Sequence, residues 1–128
     1  MKKLTIIRHA KSDWEHNLPD ILRPISNRGK KDIKVMSLLV DRLNLSPEII
    51  YSSTSKRTIE TYENFLKHSS AFKNIDFHKS ELLYDFTGYN VLNFIKNIDD
   101  KYSNVLLFSH NNSCSFLTAE LANDYKHV

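Results

Sequence analysis

The chain has 128 residues, 41% of them hydrophobic and 26% charged, proportions that fit one compact globular domain spanning residues 1–128 rather than a disordered or two-domain chain. Eighteen Lys and Arg against fifteen Asp and Glu leave a net charge of +3, which favours phosphorylated partners but falls short of a nucleic-acid-binding surface. The single cysteine, Cys114, excludes an intrachain disulfide and a thiolate-rich zinc site.

At the N-terminus the apolar run before Arg8 is too short for the hydrophobic region of a signal peptide, and no stretch approaches the roughly 18–20 apolar residues of a membrane span. The expectation is a cytoplasmic protein. The only glycines, Gly29 and Gly88, exclude the Gly-rich phosphate cradles, so side chains must hold any bound phosphate.

Leu4-Thr5-Ile6-Ile7 is a short apolar run without strict alternation, which predicts a strand buried on both faces and ending at Arg8-His9. The polar stretch from His16 to Arg28 reads as a long loop. From the N-cap Ser26, the spacing of Ile33, Met36, Leu39, Val40 and Leu43 predicts one apolar helix face, stopped by Asn44 and Pro47. Glu48 to Ser52 is a second strand, and Ser53 to Ser55 cap a helix carrying Ile59, Tyr62, Phe65 and Leu66, with Arg57 in its first turn. Ile75 to His78 is a third strand; after the turn at Gly88, a helix follows on Val91, Phe94, Ile95 and Ile98. Asn104 to Ser109 reads as the clearest buried strand, ending at His110, and Phe116, Leu117, Glu120 and Leu121 mark a closing helix. This alternation predicts a three-layer α/β/α sandwich with a largely parallel sheet.

In such sheets ligands bind beyond the carboxyl ends of the strands. Three strand ends here deliver Arg8 and His9; Ser52, Ser53 and Arg57; and Ser109, His110 and Asn111. Two arginines and two histidines converging on one pocket suit a tetrahedral dianion. No second histidine stands at a ligand spacing from His9 or His110, so no metal site is expected; His16, His68, His78 and His127 are assigned to surface or core roles.

The segments RHAKSDW (8–14), RPISNRG (23–29), YSSTSKRTIET (51–61) and LLFSHNNS (106–113), in this order, resemble the histidine phosphatase (phosphoglycerate mutase-like) superfamily, and within it the small phosphohistidine phosphatases of the SixA type. The resemblance runs from Lys3 to His127 and implies the corresponding fold. It implies that His9 is the nucleophile that takes the phosphoryl group, with Arg8, Arg57 and His110 clamping its oxygens. Ser53 is a helper through its hydroxyl or backbone N–H, Lys11 and Ser12 line the pocket mouth, and Asn111 joins the substrate-binding set. No cofactor is implied, because fixed guanidinium and imidazolium groups can hold the charge of a loose phosphoryl-transfer transition state. His9 must be neutral at its attacking nitrogen, with the other ring nitrogen bonded, most simply, to a backbone carbonyl; His110 serves best protonated.

The general acid is open. Glu81 and Asp85 are the only acids in SELLYDFTG (80–88); Asp85 is the nearer to the expected place, with a helix-capping or surface acid as the competing reading. Where relatives write Gly before the second histidine, this chain has Ser109, whose Cβ would crowd the ligand. Relatives also continue beyond the segment resembling ELANDYKHV (120–128), so a sheet lacking the final C-terminal strand is expected, with a weak homodimer through its exposed edge.

The activity expected is hydrolysis of phosphohistidine on a signalling or phosphotransfer protein through a covalent phosphohistidine intermediate. The alternatives are a broad phosphomonoesterase acting on small phosphate esters, favoured if Asp85 is an acid, and a non-catalytic phosphate-binding module.

Overall fold

The computed structural model describes residues 3–14 and 17–126, so His16 and His127 lie outside the described residues. Four strands, β1 (Lys3–Arg8), β2 (Ile49–Ser53), β3 (Asp76–Ser80) and β4 (Asn104–Ser109), form one sheet in the order β1-β4-β2-β3. Every pairing is parallel, so all four carboxyl ends lie along one edge of the sheet. The connecting helices are α1 (Asn27–Leu43), α2 (Lys56–His68), α3 (Tyr89–Lys96) and α4 (Ser113–Lys126), with short 3-10 turns at Asp20–Leu22 and Glu81–Leu83.

Successive β4 side chains serve opposite faces of the sheet. Leu106 and Phe108 join Ile50 of β2 with Ile33 and Val40 of α1 and Phe65 of α2, whereas Val105 and Leu107 join Ile49 with Val91 of α3 and Leu117 of α4. This two-sided use produces the unalternating apolar run in β4 and makes the architecture the expected three-layer α/β/α sandwich.

Ser26 caps α1 by accepting from Gly29 N–H at 3.0 Å, and Asn44 ends that helix in a left-handed conformation at φ 50°. Ser55 caps α2 through Thr58 N–H, whereas Ser53 belongs to β2. Gly88 opens α3 at φ 99°, and a Cβ there would lie 2.4 Å from the Phe116 ring, so conformation and packing both require glycine.

Several expectations shift for reasons of position. The strand β1 is half-buried rather than enclosed, because it forms an edge of the sheet while β4 takes the centre. On α1 only Ile33 and Val40 of the expected apolar face are buried; Met36, Leu39 and Leu43 are exposed, since the helix meets the sheet along a narrow stripe. The third strand begins one residue later than expected and runs to Ser80. No helix of the described chain is long and apolar enough to cross a membrane.

Candidate active site

At the carboxyl edge of the sheet is a cleft of about 650 Å³ lined by residues from three strand ends and the loop after β1. Arg8 closes β1 and His9 follows it, held by its own N–H to the Ser109 carbonyl at 3.0 Å. The His9 Nδ1–H donates to the Ala10 carbonyl at 2.7 Å, which leaves the lone pair on Nε2. Burial is the main influence lowering the His9 pKa, with Arg57, Arg8 and Arg23 adding to it against the opposing Ala10 bond, so the ring is a neutral base at neutral pH. This is the state expected of the nucleophile.

His110 follows β4 and is fully buried. Its Nε2 lies 2.8 Å from the Ser53 hydroxyl and its Nδ1 3.4 Å from Arg57 Nη2. A guanidinium has only donors, so Nδ1 is the acceptor and Nε2–H donates to Ser53. Burial first, then the Arg57 and His9 charges, push the His110 pKa down to about 3. The expectation of a protonated His110 is therefore corrected: among these cations the ring is neutral. The two imidazoles stand edge to face, with centroids 5.5 Å apart.

Arg57 is placed in the first turn of α2 by the Ser55 cap and is 1% exposed. Its Nη1 donates to the Asp20 carbonyl at 2.7 Å and its Nη2 to Asp20 Oδ2 at 3.0 Å, while its buried Nε has no partner. Lys11, Ser12 and Asn111 line the cleft as expected, but the Ser12 hydroxyl accepts from Arg23 Nη1 at 2.8 Å. Ser53 is buried under His110 and orients that ring. The β4 residue Ser109 is also buried and does not line the cleft, so its Cβ does not narrow it. His68 and His78, expected in surface or core roles, are exposed.

Asp85 is the second correction. It does not line the cleft; its carboxylate accepts from the backbone N–H groups of Thr87, Gly88, Asn90 and Val91 and from the Thr87 hydroxyl. Burial opposes ionisation, but these donors prevail and hold its pKa below the usual carboxylate value. It caps α3, the competing reading, and has no proton to give at neutral pH.

Sequence reasoning missed Asp20, Arg23, Trp14, Tyr84 and Phe86. Asp20 and Arg23 lie in the stretch read as an undifferentiated polar loop, where their three-residue spacing around a 3-10 turn is the signal that was present. Asp20 Oδ1 accepts from Arg23 Nε at 3.3 Å and Nη2 at 3.1 Å, and Oδ2 accepts from the Tyr84 hydroxyl as well as from Arg57. Partial burial works against it, yet the bonds from Tyr84, Arg57 and Arg23 hold the Asp20 pKa at about 2. The Arg23 guanidinium carbon stacks 3.5 Å from the centroid of the exposed Trp14 ring. Phe86 packs 4.8 Å from the His110 ring.

A parallel α/β/α sandwich with Arg-His at the end of its first strand, an arginine opening the helix after its second and a histidine beyond its fourth has the histidine phosphatase, phosphoglycerate mutase-like fold. The structure superimposes on that of a protein assigned as the phosphohistidine phosphatase SixA of Agrobacterium tumefaciens with a TM-score of 0.81 and 24% identity, covering 98% of this chain and 80% of that one. No protein-family model matches the sequence. Among curated proteins the chain is 29% identical over 105 residues to an uncharacterized chloroplastic protein of Arabidopsis thaliana, covering 80% of this chain and 48% of that protein. It is 41% identical over 64 residues to phosphoserine phosphatase 1 of Hydrogenobacter thermophilus, covering 48% of this chain and 29% of that protein. The chain thus spans about half the length, or less, of these two relatives.

Proposed function

We propose that the chain is a cytoplasmic phosphohistidine phosphatase that acts on a phosphorylated protein through a covalent phospho-His9 intermediate. The His9 Nε2 lone pair attacks phosphorus and the P–N bond to the substrate imidazole breaks, the departing imidazole nitrogen taking a proton from water. A second water then hydrolyses phospho-His9, returning neutral His9 and inorganic phosphate. While Nε2 carries the phosphoryl group, the Nδ1–H bond to the Ala10 carbonyl steadies the positive ring.

Arg8 and Arg57, the latter fixed by Asp20, supply the positive charge that the equatorial oxygens need, so turnover is expected to persist in EDTA. The arriving dianion reverses the field at His110: Nδ1 takes a proton, ceases to accept from Arg57 and donates to a phosphoryl oxygen.

The observation that carries the choice of substrate is the state of Asp20. It is the one carboxylate among the described residues lining the cleft, and its pKa of about 2 leaves it ionised at neutral pH. An alkoxide leaving group needs a proton from a positioned acid, whereas the imidazole of phosphohistidine is a far better leaving group. The site therefore suits a phosphoramidate better than a phosphate ester. Exposed Trp14 and Phe86 at the cleft fit a side chain presented on a protein surface.

The test is to incubate the protein in EDTA with a phosphohistidine protein and, separately, with an aryl phosphomonoester, beside His9→Ala. Loss of phosphate from the first substrate, abolished by His9→Ala, is expected. Equal turnover of both substrates replaces this reading with a broad phosphomonoesterase, and phosphate binding without turnover of either replaces it with a binding module.

A further inference from the structure

Arg57 is gripped from one side only. A guanidinium offers two bidentate edges, the end edge of Nη1 and Nη2 and the side edge of Nε and Nη2. Asp20 occupies the end edge twice, with its main-chain carbonyl on Nη1 at 2.7 Å and its Oδ2 on Nη2 at 3.0 Å. On the side edge Nε is buried and unpartnered, and Nη2 makes only the 3.4 Å contact to His110 Nδ1. Arg57 lines the cleft together with His9 and His110.

Asp20 is itself braced. Its Oδ1 receives two bonds from Arg23, whose third nitrogen donates to the Ser12 hydroxyl and whose face lies on Trp14, and its Oδ2 receives the Tyr84 hydroxyl. All three Arg23 nitrogens are therefore engaged within the protein, whereas Arg57 retains a free donor. The charge of Asp20 is half of this arrangement and its backbone carbonyl the other half.

Resting on the phosphatase reading, we infer that Asp20 is a positioning residue that fixes the end edge of Arg57 and so presents the Nε–Nη2 edge to two phosphoryl oxygens. The opposite relationship, with Asp20 as a stand-in anion that phosphate must displace, predicts the opposite sign on removing the carboxylate. A main-chain carbonyl cannot swing away as a side chain does, and its bond is the shorter of the two, which favours positioning.

The experiment is titration calorimetry with inorganic phosphate on the wild-type chain and on Asp20→Ala, Asp20→Asn and Asp20→Glu, with thermal melts of each. The Asp20 side chain is 45% exposed, so the variants are expected to keep a cooperative melt. Asp20→Ala is expected to bind phosphate about tenfold more weakly, Asp20→Asn to lie between, and Asp20→Glu to recover part of the loss, with kcat/KM on phosphohistidine falling in the same order. Unchanged or tighter phosphate binding by Asp20→Ala, or by Asp20→Asn should the alanine variant unfold, overturns the inference while the phosphatase reading stands. A wild-type chain that binds no phosphate overturns both.

Discussion

The Ser53 hydroxyl at the end of β2 lies 2.8 Å from His110 Nε2, just beyond β4, and the adjacency of those two strands sets this bond. With Nε2 donating there and Nδ1 accepting from Arg57, His110 is buried without charge and its pKa is about 3. A histidine whose folded pKa lies below its unfolded value of 6.5 binds its proton first in the unfolded chain, so stability is full above pH 6.5 and falls as the pH drops towards 3. His9, lowered in the same direction, adds to the loss. Urea denaturation between pH 7.5 and 5 should show stability declining by up to about 1.4 kcal/mol per pH unit from His110, with His9 steepening the fall. His110→Asn should flatten the slope; a stability independent of pH across this range contradicts the neutral assignment.

On the proposed mechanism, His9→Ala removes the group that accepts the phosphoryl. Turnover should fall by at least about a thousandfold while the melt stays cooperative, since losing a nucleophile abolishes the covalent route rather than one stabilising contact. Acid-stable or absent labelling by a phosphohistidine donor in the wild-type chain would count against the covalent step, because a phosphoramidate at His9 is acid-labile.

Arg57→Lys tests geometry at constant charge. An ammonium cannot hold the Asp20 carbonyl and carboxylate while offering a second edge, so kcat/KM should drop about a hundredfold, equivalent to roughly 3 kcal/mol of transition-state stabilisation. Near-wild-type activity in this variant would show that point charge alone suffices.

Asp85→Asn separates capping from acid catalysis. The amide keeps one acceptor where five donors converge, so unfolding free energy should fall by about 1–2 kcal/mol. The ratio of ester to phosphohistidine turnover should not change. A selective loss of ester hydrolysis at unchanged stability would restore Asp85 as an acid.

Gly29→Ala links a helix to the cleft. A Cβ there would lie 2.5 Å from the Lys11 main-chain oxygen, which itself accepts from the Ser26 N–H and hydroxyl. Relief requires moving the Lys11 backbone and the cleft-lining segment with it, at a cost of about 1–3 kcal/mol. A lower melting temperature accompanied by weaker phosphate binding is expected; lost stability with unaltered phosphate affinity would show that α1 yields instead.

Local chemistry made much of the molecule legible in the sequence. The β4 run, the Ser26 cap and the polar pairs at strand ends are dictated by residues close together in the chain, and parallel connectivity brings those ends to one edge without further information. That reasoning placed Arg8, His9, Arg57 and His110 together and anticipated a backbone carbonyl on the second His9 nitrogen.

Tertiary structure decided what depends on groups distant in sequence. Asp20 meets Arg57 across thirty-seven positions and Tyr84 across sixty-four, so no local pattern reveals that Arg57 is braced. The burial of His110 among cations, which leaves the ring neutral where a charge was expected, comes from packing between strands, and Asp85 became a cap because the chain after it turns its N–H groups back onto the carboxylate. Residue order alone dictates which chemical groups are available and which elements carry them. Protonation and orientation were left to the tertiary structure, because both are set by the dielectric and the partners that only folding brings within hydrogen-bonding distance.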